Sequence, residues 1–143
     1  MKISTRGRYA IRVMLDLAEH NQEGYIPLMD IARRQEISEK YLEAIVSSFS
    51  KNGFVRALRG KGGGYMLARS PEEYTVGSIL KLAEGSLAPV ACLEDMPNKC
   101  PRAAECKTLK MWEGLHKLID NYFDGITLQD LLTEDADVCN YVI

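Results

Sequence analysis

The sequence predicts a mainly α-helical fold with one small β-hairpin, and three observations support this fold class. Most of the chain alternates between capping residues and segments whose apolar residues recur at helical spacing. One glycine-rich stretch, residues 59–64, is flanked by two short runs typical of β-strands. A segment near the end of the chain keeps a spacing of three and four between its apolar residues, which favours one long amphipathic helix.

The first 51 residues predict three helices. Ser4 or Thr5 can cap a first helix that runs to about residue 19. Pro27 suits the first turn of a short helix over 28–34, and Ser38 can cap a third helix over 39–51. Two short helices joined by a tight turn, after a longer supporting helix, indicate a helix-turn-helix.

The segment that follows predicts a hairpin. The letters FVRAL indicate a strand, RGKGGG a turn, and YMLA a returning strand. A hairpin directly after the second helix of a helix-turn-helix is a wing. We therefore interpret residues 1–69 as a winged helix-turn-helix DNA-binding domain.

The remaining chain divides into four predicted parts. A connecting helix lies within residues 70–85, and a cysteine loop covers residues 86–107. A long helix with a final turn covers 108–132, and an acidic tail covers 133–143. The apolar stripe of the long helix predicts a homodimer interface, since dimeric regulators need an element that sets the spacing of two half-sites. Its candidate residues are Trp112, Leu115, Ile119, Tyr122 and Phe123.

Composition and charge narrow the class of protein. Hydrophobic residues make up 46% and charged residues 27%, which are globular values. There is neither an apolar run of membrane length nor a signal-peptide pattern, so a cytoplasmic protein with reduced thiols is expected. Residues 1–69 carry 12 Lys/Arg against 7 Asp/Glu, whereas residues 70–143 carry 6 against 13. This asymmetry indicates that the first half meets a polyanion.

The third helix and the wing supply the candidate DNA-binding residues. The outward face of the helix combines cationic, acidic and small side chains that suit phosphates or base edges in a major groove. These are Lys40, Glu43, Ala44, Ser47 and Lys51. The wing adds Arg56, Arg59 and Lys61, and the start of the first helix adds Arg6 and Arg8. A nucleotide-binding glycine loop is excluded because the stretch leads into a strand and lacks the lysine-containing phosphate motif.

Three cysteines occur within fifteen residues of the cysteine loop. Cys92, Cys100 and Cys106 have seven and five residues between them. Thiolates bind iron–sulfur clusters and zinc, but structural zinc sites use closely spaced pairs that this loop lacks. An iron–sulfur cluster, of [2Fe–2S] or [4Fe–4S] type, is therefore favoured over zinc and over a thiol–disulfide switch.

Several segments resemble the Rrf2 family of bacterial winged-helix transcription regulators, whose members include IscR, NsrR and CymR. The resemblance rests on MKISTRGRYAIRVMLDLA, on ISEKYLEAIVSSFSKNGFVRALRGKGGGYMLARSPEEYTVGSILKLAEG and on MWEGL with ITLQDLL, so it reaches about residue 132. It implies a homodimer built on the long helix, with Arg59 in a minor groove and Glu43 tuning site preference. It also implies that the three cysteines hold an iron–sulfur cluster.

The fourth ligand of such a cluster is not identified by the resemblance. Family members of the IscR type carry a histidine three residues after the third cysteine, where this chain has Leu109. His116 lies ten residues beyond Cys106, about 15 Å along a helix. Asp95, Glu94, Glu105, Cys139 or an exogenous ligand stay as candidates.

Together these observations predict a dimeric regulator that binds a palindromic double-stranded DNA operator under control of the cluster. The alternative is a cluster-free regulator controlled by a partner protein or by thiol redox state, as in CymR-like proteins. A small electron-transfer protein is disfavoured by the basic wing, and no nucleophile–base pairing supports an enzyme.

Overall fold

The structure, a computed structural model, describes residues 1–133 and contains six α-helices and one two-stranded sheet in that range. Of the predicted tail, 133–143, residues 134–143 with Cys139 lie outside the described residues, and Thr133 ends the last helix. Across residues 1–133, none of the helices combines the length and apolar character that a bilayer crossing requires. In chain order the elements are α1 Thr5–Glu19, α2 Leu28–Gln35, α3 Glu39–Lys51, β1 Val55–Leu58, β2 Gly64–Leu67, α4 Val76–Glu84, α5 Leu109–Asp124 and α6 Leu128–Thr133.

Helix α1 is the central support of the fold. Ser4 caps it, because the Ser4 Oγ accepts a hydrogen bond from the Gly7 N–H at 3.1 Å. Its buried side chains form one core with residues of α2, α3, both strands, α4 and α6. The helix-turn-helix and the C-terminal elements therefore both pack on α1.

Helices α2 and α3 form the predicted helix-turn-helix. The turn passes through Glu36, whose φ of 54° is left-handed, and its N–H donates to the Ala32 carbonyl at the end of α2. Ser38 then caps α3 by accepting from the Tyr41 N–H at 3.2 Å. Thr75 caps α4 in the same way, since its side chain accepts from the Ser78 N–H at 3.0 Å. The caps that the sequence indicates for α1, α3 and α4 are therefore all present.

Strands β1 and β2 form the predicted wing as an antiparallel pair in which Val55 faces Leu67 and Leu58 faces Gly64. Ile26 adds a short bridge to Tyr65, with two backbone hydrogen bonds of 2.8 and 2.9 Å. Gly64 has a φ of 149°, and a side chain there would collide with the Ile26 carbonyl. This glycine is required because the segment before α2 and the wing approach each other closely.

The C-terminal elements pack back onto α1. Helix α4 lies along α1, and Glu84 at its end accepts hydrogen bonds from the Ser4 N–H at 3.0 Å and from the Ser4 hydroxyl. Helix α5 packs on α4, where Gly77 leaves room for the Asp124 carboxylate. The predicted final turn is a six-residue helix, α6, and Thr127 and Asp130 form its capping box through hydrogen bonds of 2.9 and 3.0 Å.

Candidate nucleic-acid interface and cysteine loop

The outward face of α3 is polar and accessible. Leu42, Ile45, Val46 and Phe49 are buried on the opposite face, as the spacing predicts. Lys40, Glu43, Ala44 and Lys51 are exposed, and Ser47 is half-buried. The helix therefore presents its predicted reading residues to solvent on one face.

The wing and α3 border a shared cleft of about 590 Å³, which we call the recognition cleft. Glu43, Ser47 and Lys51 line it from α3, and Arg59 lines it from the wing. Arg56 and Lys61 are exposed elsewhere on the hairpin. Acidic, hydroxyl and cationic groups thus meet at one surface, which suits contacts with both base edges and phosphates.

The two arginines of α1 differ in their surroundings. Arg8 is exposed and donates to the Thr5 hydroxyl at 3.1 Å, whereas Arg6 is half-buried. Both lie in the first turn of α1, where their positive charge is available to a phosphate.

A buried carboxylate positions the helix-turn-helix on α1. Asp16 is 1% exposed and accepts two hydrogen bonds from the Arg34 guanidinium, at 3.0 and 2.7 Å. The Gln35 side chain donates a third bond to Asp16 at 2.9 Å. The hydrogen bond to Asp16 is the main cause of the raised pKa of the Arg34 guanidinium. Arg12 donates to the Gln35 carbonyl and to its side-chain oxygen, so α1 holds the C-terminus of α2 at several points.

Tyr74 positions the base of the wing. Its side chain is fully buried, and its hydroxyl donates to the Phe54 carbonyl at 2.6 Å. The same oxygen accepts from the Ala68 and Arg69 N–H groups at 3.0 and 3.1 Å. The hydroxyl therefore ties the residues before β1 to those after β2.

Sequence reasoning did not identify Asp16 or Tyr74 as positioning residues. The one available signal for Asp16 was an acid on an otherwise apolar helix face. Tyr74 stands between Glu73 and Thr75, so no periodicity marked it as buried.

The cysteine loop, residues 86–107, contains two single-turn 3₁₀ helices, Ala91–Leu93 and Ala103–Glu105. Cys92 and Cys100 are half-buried, and Cys106 is exposed. The Cys100 N–H donates to the Asn98 side chain at 2.8 Å. The Thr108 hydroxyl lies 3.3 Å from the Cys106 sulfur, and its hydrogen bond is the main cause that lowers the pKa of the Cys106 thiol.

The loop conformation described here does not gather a metal site. Within residues 1–133 no three His, Cys, Asp or Glu side chains lie close enough together to bind one metal ion. Cys100 and Cys106 line a shared cavity of about 520 Å³, whereas Cys92 does not line it. The three-cysteine ligand set therefore stays a prediction.

Helix α5 divides the predicted apolar seam between two faces. Ile119 and Phe123 pack inside the chain, against the buried Val76, Leu80 and Leu87. Trp112 is half-buried. Leu115 and Tyr122 are 38% and 64% exposed, and they continue a stripe with Met111 and Leu118 at 57% and 68%. We call these four residues the α5 stripe.

These features define a winged helix-turn-helix protein. The profile of the Rrf2 family, described as an iron-dependent transcriptional regulator, matches residues 3–134. The chain therefore belongs to the Rrf2 family.

Individual relatives agree with this assignment. The chain is 39% identical to the HTH-type transcriptional regulator IscR of Aliivibrio salmonicida over 135 residues, which cover 94% of this chain and 79% of the relative. The solved structure of T. potens IscR matches with a TM-score of 0.75 and 38% identity, over 94% of this chain and 88% of that one. CymR, the global cysteine regulator of B. subtilis, also matches with a TM-score of 0.75, at 36% identity, over 93% of this chain and 97% of that one.

Proposed function

We propose that this chain is a cytoplasmic homodimer that binds a palindromic DNA operator under the control of an iron–sulfur cluster on Cys92, Cys100 and Cys106. The recognition cleft carries the DNA-binding part of this proposal, because it sets α3 and a basic wing beside each other. Three free thiols on one loop between α4 and α5 carry the regulatory part.

In the proposed complex α3 enters a major groove. Glu43 accepts from cytosine, Ala44 contacts a thymine methyl group, and Lys40 and Lys51 bind phosphate or guanine. Ser47 is half-buried at the cleft wall and contacts bases next to Glu43. Arg59 enters the adjacent minor groove. The remaining cations bind the phosphate backbone: Arg56, Lys61, Arg6 and Arg8.

The α5 stripe supports the proposed dimer. Its four apolar side chains recur three or four residues apart and stay exposed on a helix whose other apolar face is already covered. Leu115 and Tyr122 are the predicted interface residues that belong to this stripe. Trp112 lies at its edge, whereas Ile119 and Phe123 support it from beneath by packing on α4.

A glutamate at position 118 tests the dimer. Leu118→Glu places a charge in the middle of the α5 stripe and is expected to convert the protein to a monomer, because an unpaired charge is costly in an apolar interface. Sedimentation velocity measures the result. Lys117→Glu, on the polar side of α5, is the matched control and leaves the dimer intact. An unchanged sedimentation coefficient for Leu118→Glu would place the interface elsewhere.

The donor chemistry of the cysteine loop fits an iron–sulfur cluster. Cys100 and Cys106 already line one cavity, and Cys106 is held by Thr108 in a setting that favours the thiolate, the form that binds iron. Cys92 completes the set by a rearrangement of the loop. Such a cluster, when bound, supplies a redox-reactive group near solvent.

The contacts of α4 offer a route from the loop to DNA. The loop begins after Glu84, whose carboxylate holds Ser4 at the N-terminus of α1. It ends at α5, which is joined to α4 by ion pairs. The Lys81 Nζ of α4 lies 3.5 Å from Asp120 Oδ1 and 3.4 Å from Asp124 Oδ2 of α5. A change in loop conformation therefore acts on both ends of the α4–α5 pair. That pair sets the angle between the two DNA-binding domains of the dimer, and hence the half-site spacing.

The first experiment is anaerobic isolation of the protein, with its visible spectrum and its iron, sulfide and zinc content. We expect a coloured protein with iron and sulfide, and loss of the colour in Cys100→Ala. Operator binding with and without the cluster then tests the coupling. Equal affinity and equal site preference in the two forms would remove the regulatory part of the proposal and leave DNA binding in place.

The CymR match favours one alternative. That protein is described as a global cysteine regulator, and it is as similar in fold as IscR. Control by a partner protein or by thiol redox state then replaces the cluster. A protein without metal, even after attempted cluster reconstitution, would favour this alternative.

A further inference from the structure

Helix α3 carries a second carboxylate beside the recognition cleft, at its first residue. Glu39, Glu43, Ser47 and Lys51 all line this cleft. They lie four residues apart, so they form one row along the helix surface. We call these four residues the α3 row. Its first two members are acidic and its last is cationic, and Arg59 adds a second cation from the wing.

The two carboxylates of the α3 row are available to a ligand. Glu39 and Glu43 are both exposed. Within residues 1–133, neither of them takes part in an ion pair. By contrast, Asp30 of the neighbouring α2 is paired with Arg33 at 3.3 Å. The winged domain therefore leaves two negative charges uncompensated on the surface that faces DNA in the proposed complex.

Uncompensated carboxylates on such a surface restrict the DNA sequence that can lie against them. Phosphates repel a carboxylate, so its approach to a duplex is unfavourable unless a hydrogen-bond donor meets it. In the major groove, cytosine N4 and adenine N6 are the amino donors. Guanine and thymine present acceptors there, and an ionised carboxylate has no proton to donate to them. Glu39 and Glu43 should therefore each disfavour guanine and thymine at the base that they contact.

The spacing of the α3 row corresponds to a spacing along DNA. Residues four apart are separated by about 6 Å along a helix axis, because each residue rises about 1.5 Å. Successive bases of one strand are about 3.4 Å apart, so carboxylates four residues apart reach bases about two steps apart. Glu39 is the first residue of α3, and the N-terminal residues of a recognition helix are the ones that contact base edges.

We propose that Glu39 is a second base-reading residue of α3. Together with Glu43 it requires two amino-bearing bases, cytosine or adenine, about two base steps apart in each half-site. This inference rests on the proposed insertion of α3 into a major groove. A purely structural role for Glu39 makes different predictions: an acidic residue in the first turn stabilises a helix through its dipole, whatever the DNA sequence.

Selection of bound duplexes from a random-sequence library, with the full chain isolated anaerobically, tests the proposal. We expect the enriched half-sites to hold cytosine or adenine at two positions about two base steps apart. Glu39→Gln should shift the preference at one of these positions toward adenine, because an amide accepts from adenine N6 and donates to N7. Glu43→Gln is the matched variant and should shift the other position alone.

Fluorescence anisotropy on single duplexes measures the size of the effect. The unmodified protein should bind a selected duplex at least about tenfold more tightly than one with thymine at the Glu39 position. In Glu39→Ala this ratio should fall below about twofold. Affinity of the same variant for an unrelated duplex should rise by about twofold, because a charge that repels phosphates is lost. Glu72→Ala removes an exposed glutamate outside the recognition cleft and should change neither quantity.

Three results would contradict the proposal in distinguishable ways. An equal loss of affinity for all duplexes in Glu39→Ala, with a lower melting temperature, would assign Glu39 to the stability of α3. Unchanged base preferences in both Glu39 variants would remove its reading role and leave the proposed regulator in place. Failure of the unmodified protein to enrich any duplex would contradict the proposed DNA binding, and this inference with it.

Discussion

The winged domain, residues 1–69, and the cysteine loop, residues 86–107, are stabilised in different ways. The winged domain contributes most of a continuous core and is tied together by the buried Asp16 and by the hydroxyl of Tyr74. In the cysteine loop Leu87 is the one buried residue, and the local structure is two single-turn helices. The difference indicates that the proposed DNA-binding surface is built to keep its shape, whereas the loop can change shape at little cost.

The largest expected effect is at Asp16. Asp16→Ala leaves the Arg34 guanidinium and the Gln35 amide without their acceptor, so the free energy of unfolding should fall by about 3 kcal/mol. Urea denaturation followed by circular dichroism measures it. Asp95→Ala removes a carboxylate from the loop and should change the same quantity by less than about 0.5 kcal/mol. Similar losses at both positions would break the contrast between the two regions.

A smaller loss of stability is expected at the base of the wing. Tyr74→Phe removes one donated and two accepted hydrogen bonds in a buried site, which should cost about 2 kcal/mol. Hydrogen exchange at the Arg69 amide should accelerate, because that N–H loses the Tyr74 hydroxyl as its acceptor. Tyr25→Phe, at a half-buried tyrosine before α2, is the control. Slow exchange in Tyr74→Phe would mean that strand pairing alone holds the wing.

A substitution at Arg59 should weaken DNA binding without a loss of protein stability. Arg59→Ala should lower affinity for a selected duplex by about tenfold, and the dependence of log K on log salt should lose about one unit of slope. The melting temperature of the Arg59→Ala protein should equal that of the unmodified protein, because Arg59 is exposed on the wing. Lys99→Ala removes a like charge from the cysteine loop. Fluorescence anisotropy at several salt concentrations compares the two, and equal slopes would mean that Arg59 does not contact DNA.

The smallest expected effect is a gain at Glu36. A left-handed conformation costs an ordinary residue about 1–2 kcal/mol, and glycine avoids this cost. Glycine also loses more chain entropy on folding, which offsets part of the gain. Glu36→Gly should therefore stabilise the protein by about 0.5 kcal/mol. Glu36→Gln keeps the backbone restriction and should give no gain. Denaturant midpoints resolve the difference. A loss of stability in Glu36→Gly would show that the Glu36 side chain itself contributes to the turn.

Prediction from sequence succeeded where the signal is local. The caps Ser4, Ser38 and Thr75 and the glycine-rich wing were read correctly because each depends on residues a few positions apart. The seam of α5 was read as one surface, although Ile119 and Phe123 are covered by α4. Helical spacing shows which residues share a side of a helix, but it does not show which neighbour covers them.

In the candidate sites too, local features could be predicted from the sequence and contacts between distant residues could not. The outward face of α3 could be predicted because burial of Leu42 and Ile45 leaves Glu43 and Ala44 exposed; their contact with DNA stays a prediction. The partners of Asp16 could not be named, since Arg34 is 18 positions away in the chain. Asp120 and Asn98 likewise meet at one cavity only through the packing of the loop on α5.

The sequence by itself determined the order of helices and strands, the winged helix-turn-helix, the charge asymmetry and the three cysteines on one loop, because all of these depend on composition and short-range spacing. Tertiary structure alone decided which face of α5 is free, what holds the wing at its base and which loop residues lie beside α5. Those outcomes depend on contacts between residues far apart in the chain, whose free energy is gained only when the elements pack.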